Sequence, residues 1–318
     1  MYGTNKKYIK PLLSAIFISI ASFAQAQTDS TDELSNMLGS NELGRKEYTA
    51  GAFKTTRVVN GHSIEQTGKG ILDFRISHRF SSVGNGIKDL YGLDGASMRL
   101  GLDYGLTDNI TIGIGRSSLN KEYDGFVKAR LLRQTSNNTM PISLSYAGGM
   151  SITTLSETSL MGRPLVSPEK YPLSNRLFFF NQILLARKFS NRFTLQLMPT
   201  HVHYNLVNSK SEPNDIFALG AGGRIKLNKR VTLNLEYFYQ FNQLSGTTNS
   251  LSMGFDIETG GHVFQLFFTN SMGMTERTFI GQTTEQWQDG GCRFGFNIAR
   301  VFTIVHPKEF DNSRNKIW

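Results

Sequence analysis

The chain has 318 residues, with 34 Lys and Arg against 25 Asp and Glu, a formal charge of +9, and one cysteine, Cys292. An intramolecular disulfide is excluded and a structural zinc site disfavoured. A basic excess this modest, spread along the chain, marks neither a nucleic-acid binder nor a polybasic membrane tail.

The first 26 residues combine basic Lys6, Lys7 and Lys10, an apolar run from Leu12 to Phe23 and an Ala24-Gln25-Ala26 site. That layout predicts a cleaved secretory signal; the apolar run is shorter than the roughly 20 residues of a spanning helix. Residues 27–47 read as a flexible polar tail. Within 48–69, the stretch AFKTTRVVNGHSIEQTGKG holds Asn60-Gly61 between two short β-like runs, which predicts a hairpin. It is expected to be a periplasmic hairpin, a partial plug of a lumen, or an added strand pair.

From residue 70 the hydrophobic period is two. It is clearest in ILDFRISHRF (71–80), SMRLGLDYGL (97–106), ITIGIGRS (110–117), PISLSYAGGMSIT (141–153), VTLNLEYFYQF (231–241) and LSMGFDI (251–257). Weaker segments near 124–133, 176–189, 192–205, 215–227, 262–270 and 291–302 bring the candidates to twelve. Most are about the 9–11 residues of a tilted transmembrane strand. Short and long connections nearly alternate: tight turns at 107–109, 190–191, 228–229 and 259–261, a medium one across 134–140, and long loops at 81–95, 155–175, 206–214, 242–249 and 271–290. Outer-membrane barrels have such short periplasmic turns and longer extracellular loops. The predicted fold is therefore all-β, an antiparallel transmembrane β-barrel of about 12 strands across 70–302, or 14 if the hairpin joins, followed by a C-terminal tail from 303. A β-sandwich would show the same alternation, with its apolar rows facing a second sheet. Export without disulfides, loop asymmetry and aromatics at strand ends such as Tyr237, Tyr239 and Phe241 favour the barrel in an outer membrane.

With these segments the chain resembles a family of outer-membrane β-barrels of Gram-negative bacteria that is known only as a domain of unknown function. The residues that carry the likeness are AFKTTRVVNGHSIEQTGKGILDFRISHRF (52–80), YGLDGASMRLGLDYGLTDNITIGIGRSS (91–118) and YDGFVKARLLRQ (123–134). The resemblance implies the barrel and its membrane, and brings no substrate or catalytic residue. The last strand, RFGFNIARVF (293–302), resembles the C-terminal signal by which barrels meet their assembly machinery, although a tail follows it.

Parity places Arg75, Arg79, Arg99, Lys128, Arg130, Arg224, Lys226 and Arg293 in the lumen with Asp73, Asp103, Glu236 and Asp256. Eight basic against four acidic groups suggest a constriction favouring small polar or anionic solutes; the alternative is a filled interior in which the charges pair. Inward Phe178, Phe180 and Phe238 leave open a barrel that handles lipid or hydrophobic ligands, and a non-transporting scaffold is the third possibility. His201 and His203 share a face but point outward near the extracellular rim, and no carboxylate or cysteine cluster is expected beside them, so they read as interfacial side chains and no metal is expected. An enzyme of the phospholipase kind would need a base set against an activated Ser. No G-x-S-x-G elbow is present, and neither catalytic residues nor a cofactor are expected. The expected partners are outer-membrane lipid, the assembly machinery and a small solute, with no nucleic acid.

Overall fold

A computed structural model describes residues 47–155, 172–207 and 209–305. The expected signal peptide, nearly all of the polar tail, most of the 155–175 loop and the C-terminal tail beyond 305 lie outside the described residues.

Twelve strands form the wall: β1 (Ile71–Phe80), β2 (Ala96–Gly105), β3 (Ile110–Ser117), β4 (Glu122–Leu132), β5 (Ser143–Thr153), β6 (Leu177–Lys188), β7 (Phe193–Tyr204), β8 (Asp215–Lys226), β9 (Val231–Gln240), β10 (Ser250–Thr259), β11 (His262–Thr269) and β12 (Arg293–Thr303). Each pairs antiparallel with its sequence neighbours, and β1 pairs with β12 from Ile71↔Thr303 to Arg79↔Gly295, which closes the barrel. Closure leaves no strand edge unpaired.

The strands begin and end where local chemistry dictates. In LDYGLTDNITIGIGRS the parity of the apolar row changes at Thr107-Asp108-Asn109. There the Thr107 hydroxyl accepts from the Asn109 and Ile110 N–H groups at 3.2 and 3.0 Å, and Leu106 N–H returns to the Ile110 carbonyl. A Thr side chain bonding the backbone two and three residues on is a turn device. Beyond it Ile110, Ile112 and Ile114 are exposed and Thr111 is buried. The exposed row of nearly every strand is apolar, as in Leu100 and Leu102, Phe217 and Leu219, Tyr237 and Tyr239, while the buried row is mostly polar or charged. That is the reverse of a soluble sheet and the arrangement of a barrel whose outer surface meets lipid. Aromatic pairs stand at both ends of the outer face, Phe189 with Phe193 at the turn end and Tyr239 with Phe241 at the loop end.

Residues 48–69 do not add strands to the sheet. Isolated bridges hold the segment near both its ends, Tyr48↔Thr135 and Lys69↔Gly105, and a third, Arg57↔His62, pairs it with itself. Between its ends it runs up the barrel interior, where Val58, His62 and Ser63 have no accessible surface. From the opposite end the β11–β12 connection folds inward as a six-residue helix, α1 (Glu276–Gly281), every residue of which is buried. Cys292 lies half-buried in the loop just before β12, which starts at Arg293, and its N–H donates to the Gly290 carbonyl.

Candidate functional site: a hairpin and a helix meeting inside the barrel

The hairpin tip is held by one carboxylate. Glu236 projects inward from the middle of β9 and accepts the main-chain N–H groups of Val59, Asn60 and Gly61 at 3.0–3.2 Å. Successive N–H groups turned to one point form an anion-binding nest, and a hydrogen bond to a charged acceptor contributes about 1.5–3 kcal/mol where a neutral one contributes about 1. This contact also sets the turn. Val58 N–H bonds the Gly61 carbonyl at 2.9 Å, which centres the turn on Val59-Asn60. Neither Asn60 nor Gly61 takes a positive φ, so it is not the mirror-image turn that Asn-Gly favours. Gly61 is required for another reason: a Cβ there would lie 2.9 Å from Cζ of Phe238.

On the β1, β2, β11 and β12 side the hairpin meets polar groups. Arg75 pairs with Asp73 at 3.0 Å and donates to the Thr56 hydroxyl at 2.7 Å, and that hydroxyl stands 3.2 and 3.4 Å from the carboxylates of Asp73 and Asp103. Arg79 donates to the Asn60 and Asn297 side-chain oxygens at 2.8 and 3.0 Å and lies over the Phe267 ring. Gln265 and Asn297 donate to the carbonyls of Val58 and Val59, and Gln265 also to Asp256. Lys128 of β4 donates to the carbonyls of Ser63 and Glu65, and Arg224 of β8 to those of Gly51 and Ala52. Arg99 turns to Asp124, not to Asp103. Arg130 and Lys226 are half-buried near the turn end, Arg130 donating to the Asp108 carbonyl, and Arg293 pairs with Glu285 near the loop end.

On the β6–β9 side the hairpin meets Glu236, Arg224 and Gln196, whose amide donates to the His62 carbonyl at 2.7 Å, and otherwise the contact is apolar. Val58 and Ile64 join one buried cluster with Phe126, Phe178, Phe180, Leu184, Met198, Val202, Ile216 and Phe238, and α1 adds Phe279 and Ile280. Phe238 meets Phe279 edge-on at 5.0 Å, and His62 meets Phe126 at 4.5 Å. The inward phenylalanines are thus covered by the chain's own hairpin and helix.

Hairpin and helix join through an ion pair, Arg57 to Glu276 at 2.8 Å, with His62 Nε2 3.5 Å from the same carboxylate. Burial, with the nearby Arg57 guanidinium, holds the His62 imidazole well below the usual histidine value. Burial pushes the Glu276 carboxyl up, against the pull of Arg57. The helix is tied to the wall by Arg277, which pairs with Glu122 at 2.6 Å and lies 3.5 Å over the Phe178 ring. A cavity of about 340 Å³ opens beside the hairpin, lined by Lys54, Thr56, Glu65, Asp73 and His262, and another of about 290 Å³ lies beside the helix, lined by Phe178, Tyr204, Leu244 and Arg277.

Several of these groups are absent from the sequence prediction. Glu122 and Asp124 share the inward parity of Lys128, but the alternation of β4 is weak at its start. Arg57, Glu276 and Arg277 belong to a loop and a hairpin, where parity assigns no face. The expectation that no carboxylate stands beside His201 and His203 is corrected. The register His203↔Asp215 brings Asp215 of β8 against both rings, its Oδ1 2.8 Å from His201 Nε2 and 2.7 Å from His203 Nδ1.

Comparison with curated proteins finds no match. Among solved structures, the NanC porin aligns over 74% of this chain and 100% of its own at 7% identity, with a TM-score of 0.45. The KdgM porin aligns over 74% and 99% at 8% identity, TM-score 0.42. An outer membrane channel from Pseudomonas putida F1 aligns over 75% and 98% at 14% identity, TM-score 0.46. The family described as a membrane bound beta barrel domain (DUF5777) matches residues 53–302, from within the hairpin to the penultimate residue of β12, and the chain belongs to it.

Proposed function

We propose that this protein is an outer-membrane channel for small polar or anionic solutes, closed by its own hairpin, and that residues 48–69 must leave the lumen for solute to pass. The observation that carries the reading is the polar stripe inside the wall. Asp73, Arg75, Arg79, Asp103, Gln265 and Asn297 are held to the hairpin mainly through its hydroxyl, amide and carbonyl groups. Water can replace such partners at a net cost of about 0.5–1.5 kcal/mol for each bond of Gln265 and Asn297 and about 1.5–3 kcal/mol for each bond of a charged group. Glu122 and Asp124 reduce the basic excess of the wall, so the expected anion preference is mild. Charge near a narrow passage sets its selectivity.

The test is bilayer conductance of the full mature protein beside a variant lacking 48–69. The complete protein is expected to be nearly silent and the shortened one to conduct, with Arg75→Glu and Arg99→Glu together moving its preference toward cations. A shortened barrel that folds, as judged by altered mobility of unheated samples, yet stays silent would rule the channel out. The competing reading, a non-transporting scaffold, expects that silence. It draws on Ile87, Leu90, Tyr91 and Leu93, which stand exposed in the β1–β2 loop.

A further inference from the structure

We propose that His201, His203 and Asp215 form a binding site for one divalent transition-metal ion, such as Zn²⁺, on the outer face of the barrel at the loop end of β7 and β8. The two histidines lie two apart on β7 and so on one face, and the antiparallel register sets Asp215 directly opposite His203. One ring nitrogen of each histidine and one carboxylate oxygen lie within 4.8 Å of one another. All three residues reach solvent, with side-chain exposures of 31%, 36% and 49%.

The surroundings hold the group in place. The His201 ring stacks on Phe217 at 5.0 Å, and Asn181 approaches its Nδ1 at 3.5 Å. Asn242 donates to the Asp215 carbonyl at 2.6 Å. With Asn181 these residues make a polar island on a face otherwise occupied by Phe179, Ile183, Leu197, Phe217 and Leu219. A tetrahedral ion with bonds of about 2.0–2.2 Å sets its donor atoms roughly 3.3 Å apart. The present separations of 2.7 and 2.8 Å must therefore open by roughly half an ångström, within reach of an exposed aspartate at the first residue of a strand. Two imidazoles and a carboxylate select zinc, nickel or copper over magnesium and calcium. A fourth position stays open to water, and the bound ion joins β7 to β8 at the rim.

The test is calorimetric titration of ZnCl₂ into the tag-free, chelator-treated mature protein in detergent. One ion per barrel is expected, with binding lost in the His201→Ala/His203→Ala double variant and weakened more than about tenfold in Asp215→Asn, while His262→Ala at the turn end binds as the parent does. Thermal unfolding of the parent, and not of the double variant, should shift upward with zinc, since an ion that binds only the folded chain stabilises it by mass action. Mobility of unheated samples verifies that each variant is folded, and Asp215→Asn decides alone if the double variant is not. A parent that takes up no zinc, or folded variants that bind it equally well, would overturn the proposal and leave a histidine–aspartate hydrogen-bond cluster.

Discussion

Along β1, β2, β11 and β12 the interior wall presents Asp73, Arg75, Arg79, Asp103, Gln265 and Asn297, and the hairpin answers with hydroxyl, amide and carbonyl groups. Along β6 to β9 it presents Phe178, Phe180, Leu184, Met198, Ile216 and Phe238, and the hairpin answers with Val58 and Ile64. The two halves respond to water in opposite ways. Hydrogen bonds can be exchanged for bonds to water, at a net cost of about 0.5–1.5 kcal/mol for the neutral Gln265 and Asn297 and about 1.5–3 kcal/mol for the charged groups, whereas a buried Val or Ile side chain, whose exposure costs about 1.5–3 kcal/mol, has no substitute partner in water. The polar half therefore provides the surface a solute could use, and the apolar half, with Glu236 at the tip, keeps the hairpin seated.

The sharpest way to break that division is Val58→Asp, which sets a carboxylate in the apolar half with no partner. A buried unpaired charge costs about 3–5 kcal/mol, and the ratio of released to seated hairpin should rise by about two to three and a half orders of magnitude. Bilayer openings and cleavage of the hairpin by added protease measure it, and an unchanged closed barrel would show that Val58 does not hold the seat. Next is Glu236→Gln. The amide offers one oxygen to the three N–H groups that the carboxylate now binds, and the expected loss is about 2–3 kcal/mol by the same readouts. A double-mutant cycle of Arg57→Ala and Glu276→Ala comes third, with an expected coupling of about 1–3 kcal/mol. A coupling near zero would mean that hairpin and helix are seated independently.

Much of this architecture can be read from the chain. Twelve period-two segments, the short and long connections and the inward row on each strand are local patterns, and alternation assigns a face without knowledge of any partner. Destinations are not local. Asn60-Gly61 announces a turn, but its seat is Glu236, some 175 residues away, and only barrel closure brings the two together. Asp215 becomes a neighbour of His203 through the register of β7 and β8, and a shift of one residue would turn it to the other face. Helix α1 lies in what reads as a polar loop, because six residues are too few to display a helical stripe. Its signal is faint: Thr275 N–H bonds the Thr278 hydroxyl at 3.1 Å, a side-chain cap at a spacing of three.

The smallest expected effect concerns pH and comes from His62 at the boundary between the halves. Its seated imidazole is held well below the usual histidine value, first by burial and then by Arg57, Lys128, Arg99 and Arg75, and its Nε2 lies 3.5 Å from the Glu276 carboxyl. A released hairpin in water takes up a proton near pH 6.5, the ordinary value, while the seated one does not. The seat thus keeps its full histidine contribution above about 6.5 and loses it as the pH falls, by at most about tenfold in the seated-to-released ratio per pH unit. Glu276 acts in the other direction. Its seated carboxyl is pushed up, so its contribution is largest in acid and declines as the pH rises above the ordinary carboxylate value of about 4.3. Channel opening or protease cleavage of the hairpin, followed from about pH 7.5 to about pH 5, should therefore increase on acidification in the parent. His62→Gln should remove that increase and leave the opposite slope from Glu276. If the glutamine variant retained the acid-induced opening, the sensing group would have to lie elsewhere on the polar half.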